Sequence, residues 1–239
     1  MGAEMTKQPV EPPPQTLARI GGALYLIIIA TGLFSEMFVR GRLVAWGDVS
    51  ATATNIVASQ TLWRLGVAGD LIMHVCDVPL MLIVYLLLRP VDKTLALLAM
   101  LFNMVQTATL VATKLALMVA LFVLGSGEYL KAFDPRQLHA LMYLFIKADG
   151  HGFGIGLIFF GCTCLVNGYL IRRSGFLPGT LGVLIQTAGV CYLTNSFTLL
   201  LAPKVADMLF PAILLPAFIG ELSLCMWLLV KGVNVQKCG

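Results

Sequence analysis

The feature that most constrains this chain is its succession of long apolar runs. Stretches such as "VPLMLIVYLLL" at 78–88 and "LALLAMLF" at 95–102 recur along it. The segments containing them approach the roughly 20 residues that carry a helix across a bilayer. In lipid every backbone polar group must be satisfied within the protein, so such runs become helices. Of the 239 residues, 59% are hydrophobic and 12% charged, against about 25% charged in soluble domains. The chain therefore reads as an all-α, polytopic transmembrane helix bundle in the lipid bilayer. Six spans are expected, at about 17–38, 63–88, 93–124, 137–172, 177–201 and 209–231. Together, 17–233 make one transmembrane domain and 234–239 a short tail. The net charge of +4 is modest and its basic residues are spread along the chain, so no nucleic-acid surface is indicated.

Local chemistry marks the boundaries. "MGAEMTKQPVEPPPQT" at 1–16 is polar and proline-rich and reads as a disordered or polyproline arm. "RPVDK" at 89–93 ends the second span, because proline restricts the residue before it. "FDPRQ" at 133–137 starts a helix, with Asp134 as N-cap and Pro135 in the first turn. "SATATNIVASQTLW" at 50–63 is too polar to span and suits a short helix at the membrane interface. Trp46, Trp63 and Trp227 fit interfacial positions. Cys76, Cys162, Cys164, Cys191 and Cys225 fall inside apolar runs with no CxxC pair, so they read as packing residues.

Six spans put both termini on one side. Lys and Arg are divided almost evenly between the two sides, but "RPVDK" and "RRSGFLP" concentrate positive charge beside the membrane. This predicts cytoplasmic termini in a cell inner membrane.

"ARIGGALYLIIIATGLFSEMFVRGRL", "GDLIMHVCDVPLMLIVYLLLRPV", "YLKAFDP", "HGFGIGLIFFGCTCLVNGYLIRRSGFLP" and "LLLPAFIGELSLCMWLLVKG" together resemble a family of uncharacterised bacterial membrane proteins, domain of unknown function 4386. The resemblance runs from about Leu17 to Val233. It implies a bacterial or archaeal origin and a multi-span fold, and it implies no activity or site residues.

The residues themselves suggest a site. Asp70, His74 and Asp77 fall within about 60° of arc on one helical face. A charged carboxylate at the bilayer centre costs about 2.5–3.5 kcal/mol on insertion scales, so this stripe must face protein or water. It reads equally as a packing network and as a metal, proton or ligand site. Lys114 in the third span lies in the same half of the membrane as Asp70, which makes Asp70 its first expected partner, with Glu36 or Asp149 next. In "DGHGFGIG" at 149–156, Asp149 and His151 cannot share one face of a regular helix. His151, the deeper of the two, is taken as the inward one. The four glycines there read as close-packing positions. Glu221 sits near the middle of span six. Spans two and six are therefore expected to be neighbours, with the stripe, Glu221 and His151 converging.

By depth, Glu36, Asp70, Lys114, Asp149 and His151 belong to the half opposite the termini, and the terminal half holds almost no ionisable group. A polar pocket open to the non-cytoplasmic side and sealed beneath is expected. Three functional classes are consistent with it. The first is a ligand-binding or acid–base site, in which a divalent metal is admitted at Asp70, His74, Asp77, His151 and Glu221. The others are a proton-coupled small-molecule transporter and a structural or assembly protein. Neither the ligand nor the oligomeric state is encoded in a recognisable motif.

Overall fold

The computed structural model describes residues 13–234. Six helices are long and apolar enough to cross a membrane: Pro14–Leu43, Gln60–Leu88, Lys93–Val123, Pro135–Ser174, Gly179–Leu201 and Ala212–Val230, here spans one to six. No strand occurs among the described residues. The chain is a multi-pass membrane protein, as the apolar runs require.

The span ends follow local chemistry. Asp134 caps span four, and with Gln137 it forms a reciprocal capping box that satisfies two otherwise orphaned N–H groups. Asp92 caps span three by accepting from the Leu95 N–H at 3.0 Å. Span four stops at Gly175, whose φ of 70° suits a residue without a Cβ. The expected interfacial segment is helical at Val49–Ala58, capped by Asp48, and packs on span four.

Four boundaries differ from expectation by three residues or more; one is the start of span two, at Gln60 instead of about 63. Pro14–Thr16 of the expected arm already belong to span one, because Gln15 is tied to the other end of the domain. Its amide donates to the Lys231 carbonyl at 3.0 Å and accepts from the Val233 N–H at 2.9 Å. Residues 1–12 and 235–239 lie outside the described residues. Span one also continues to Leu43 through a seven-residue π-helical stretch, Phe34–Arg40. Pro211 separates the short helix Pro203–Leu209 from span six, which begins at Ala212 instead of near residue 209.

Each span packs on its sequence neighbours, and span six closes on span one, so the six helices form a ring. Spans two and six, expected to be neighbours, are instead separated by span one. Sequence predicts which helices are buried on which face better than it predicts how a ring closes, because lipid and protein interior are nearly equally apolar. Spans four and five approach most closely where glycines meet. A Cβ on Gly182 would lie 2.5 Å from the Gly168 carbonyl oxygen, a distance no side chain tolerates.

Two apolar clusters cap the ring. One, at the terminal side, gathers Leu87, Leu88, Leu170, Ile171, Leu181 and Leu228. The other, at the opposite side, gathers Val39, Ile56, Trp63, Leu117, Leu121 and Met142. Trp63 is fully buried there and donates its indole N–H to the Leu117 carbonyl at 3.0 Å. It is a core residue and not the interfacial anchor expected of it. Between the clusters lies a polar layer of Ser35, Asp70, His74, Asn103, Gln106, Thr107, Lys114 and Asp149.

Candidate functional site

The polar layer starts at the π-helical stretch of span one. A π turn admits an extra residue and changes which side chains face inward. Ser35 and Val39 are buried, and the Ser35 hydroxyl donates to the Gly66 carbonyl of span two at 2.8 Å. That contact needs Gly69, where a Cβ would meet the Ser35 oxygen at 2.6 Å. One turn further on, Arg40 grips Asp70 with two parallel hydrogen bonds of 2.6 and 3.1 Å. Its Nε donates to Glu36 at 2.7 Å. Bidentate guanidinium–carboxylate pairing is among the stronger forms of hydrogen bonding.

Lys114 of span three continues the chain of charges. Its Nζ donates to Asp149 of span four at 2.7 Å and lies 3.8 Å from Asp70. The ammonium thus sits between both carboxylates, with Asp149 closer than the first-choice Asp70. Asp70, Lys114 and Asp149 are at most 8% exposed, and Glu36, 63% exposed, forms the outer end. Spans one to four are tied together by this alternation of sign.

Deeper in the bundle the carboxylates are treated differently. Asp77 accepts from the Asn103 amide at 3.1 Å and from the Thr107 hydroxyl. Glu221 accepts from the Tyr192 hydroxyl of span five, and Tyr25 of span one bonds to the same carboxylate. No Lys or Arg ion pair reaches either acid among the described residues. Both line a cavity of about 200 Å³ at the centre of the ring, to which all six spans contribute. Its walls are mostly apolar.

The cavity begins near the midplane and reaches Tyr85, Ala96 and Ile171, each three residues from the terminal-side end of its span. This reverses the expected pocket. The half opposite the termini holds the ion pairs, and this cavity lies towards the termini. The charges of that half neutralise one another.

The predicted residues separate accordingly. The stripe faces inward as expected, but Asp70 belongs to the ion-paired layer, whereas His74 and Asp77 line the cavity. Asp77 and Glu221 both line that cavity, from the two spans that flank span one. His74, 2% exposed, leaves its Nε2 without a hydrogen-bond partner among the described residues. His151 points outward and bonds back to the Lys147 carbonyl at 2.9 Å. Only one of Asp149 and His151 can face inward, and the Lys114 ammonium selects Asp149. The glycines at 152 and 156 pack on span three and Gly154 on span five, while Gly150 meets nothing.

The five expected metal donors are thereby divided. Among the described residues no group of three or more His, Cys, Asp or Glu side chains is placed to hold a metal ion. Asp70 is committed to Arg40 and Lys114, and His151 is outside. The five described cysteines are free thiols.

With span one expected to end at about residue 38, Arg40 fell outside the spans, although its i,i+4 spacing from Glu36 marks a helical pair. Sequence reasoning also missed Tyr25 and Tyr192. Their signal is a single tyrosine in each of two apolar spans, whose phenol needs a partner once buried.

A ring of six apolar spans defines a multi-pass membrane protein. The chain belongs to the family described as Domain of unknown function (DUF4386), whose model matches residues 20–232. It is similar to an uncharacterized protein of Archaeoglobus fulgidus, 26% identical over 171 residues, which cover 72% of this chain and 86% of that one. No solved structure matches the chain.

Proposed function

We propose that this protein takes a small molecule into its central cavity and engages it through Asp77 and Glu221, as binding or acid–base groups. The observation that carries the reading is that two carboxylates from different spans line one cavity with only uncharged partners. The other carboxylates of the polar layer are paired with Arg40 or Lys114. Buried acids without a cation are costly and mark function by default. The ion-paired layer holds spans one to four and leaves the cavity free to accommodate a ligand. We propose further that the protein resides in a prokaryotic inner membrane with cytoplasmic termini, so that the cavity extends towards the cytoplasmic leaflet. The basic connections at 89–93 and 172–178 support this orientation.

Dicyclohexylcarbodiimide, an apolar reagent for protonated carboxyl groups, tests the site in native membranes at mildly acidic pH. Peptide mass spectrometry is expected to find Glu221 or Asp77 modified, with Asp70 and Asp149 protected by their ion pairs. Equal modification of all four acids, or of neither cavity acid, would overturn the reading. Cysteines introduced at positions 91 and 175 test the orientation. They are expected to resist a membrane-impermeant maleimide in intact cells, and their labelling would reverse it.

A further inference from the structure

The two buried regions differ in how their charge is balanced. In the outer layer, Arg40 and Lys114 stand among Glu36, Asp70 and Asp149. In the cavity, Asp77 is held by an amide and a hydroxyl and Glu221 by phenols. Asn103, Thr107 and Tyr192 can each donate to a carboxylate. Among the described residues no Lys or Arg lines the cavity beside the two acids.

The remaining walls describe what could supply the missing cation. Five aromatic rings line the space, Tyr25, Tyr85, Phe153, Phe160 and Tyr192. The faces of such rings attract organic cations. Phe160 and Tyr192 pack together, with centroids 5.4 Å apart. His74 adds an independent observation. It is almost fully buried, lines the same cavity and has a ring nitrogen with no partner among the described residues. Unpaired buried polar atoms are rare in folded proteins, and a neutral imidazole nitrogen without a proton accepts an N–H. A primary ammonium carries three N–H donors, and Asp77, Glu221 and His74 are acceptors on the wall.

Other cations fit less well. A metal ion lacks a donor group of three among the described residues, and a space of about 200 Å³ exceeds what a single ion fills. An aminophospholipid shares the ammonium, but its phosphate would find no basic side chain on these walls. We infer that the cavity is built for a lipophilic primary amine, bound as its ammonium by Asp77 and Glu221 with its apolar part against the aromatic and aliphatic walls. This rests on the cavity being a ligand site, as proposed above.

Radiolabelled n-octylamine tests it, using the full-length protein in phosphatidylcholine nanodiscs, with empty nanodiscs correcting for partitioning. Saturable binding at one site is expected. Glu221→Gln and Asp77→Asn should each weaken it about tenfold or more, as loss of a charge-assisted hydrogen bond does. Tyr192→Phe should weaken it less, and Glu36→Gln should leave it unchanged. Circular dichroism and monodisperse elution establish that each variant is folded. Unlabelled n-octylamine should compete, and n-octanol and n-octanoate should not.

Competition by n-octanol equal to that by n-octylamine would overturn the amine while leaving a ligand cavity. Competition by short-chain phosphatidylethanolamine as strong as that by octylamine would overturn the free amine in favour of a lipid headgroup. Binding unchanged in both carboxylate variants would overturn the inference. Absence of saturable octylamine binding, with Glu221 still modified by carbodiimide, would sink the amine alone. Absence of both would sink the cavity reading with it.

Discussion

The ion-paired layer and the central cavity bury carboxylates at adjacent depths and treat them in opposite ways. Asp70 and Asp149 are buried and paired with Arg40 and Lys114. Asp77, two helical turns below Asp70, faces open space and is held by Asn103 and Thr107 alone. His74 stands between, one turn from each. The contrast separates two uses of intramembrane charge. Compensated charge ties helices together; uncompensated charge beside a cavity is available to a ligand or a proton.

The sharpest way to break this comparison is to remove a cation from the layer. Lys114→Met leaves Asp149 without its 2.7 Å partner and is expected to cost about 3–5 kcal/mol, as breaking a buried pair does. Thermal unfolding in nanodiscs measures it. A loss below about 1 kcal/mol would show that the layer does not stabilise the bundle.

Removing both partners sharpens the point. Lys114→Met combined with Asp149→Leu should be less damaging than the sum of the single changes by more than about 1 kcal/mol. Neither charge is then stranded, and residues in contact couple. Simple additivity would mean that the two side chains do not act as a pair.

In the cavity the expectation inverts. Asp77→Asn keeps the shape and can still bond to Asn103 and Thr107. It should shift stability by only about 0.6 kcal/mol, the average for intramembrane hydrogen bonds, while removing the charge on which ligand binding depends. A loss as large as that of Lys114→Met would place Asp77 with the structural pairs.

The smallest effect belongs to the rim. Glu36 bonds to Arg40 but is mostly in contact with the surroundings. Glu36→Gln should change unfolding by no more than about 0.5 kcal/mol, as exposed ion pairs do. A larger loss would mean that Arg40 needs Glu36 to hold its grip on Asp70.

By itself the sequence determined that this chain crosses a membrane six times, where most spans begin and end, and that Asp70, His74 and Asp77 share one inward face. Those properties depend on length, hydropathy, caps and helical period, and all of these are local. The polar arrangement was legible in part: Lys114 near Asp70 and Asp149, and Glu221 with Asp77 on one central space. Only the tertiary structure decided that Asp149 and not His151 turns inward, that Arg40 belongs to the buried layer, and that span one separates spans two and six. It also decided that the central cavity extends towards the terminal side. The physical reason is that apolar helices have no strong preference among apolar neighbours in lipid. Ring closure and helix phase are therefore set by a few distant contacts: Cys225 with Gly22, Ser35 with Gly66, Gly168 with Gly182, and Lys114 with Asp149. Each joins residues of different spans, and the pattern along any one span does not contain them.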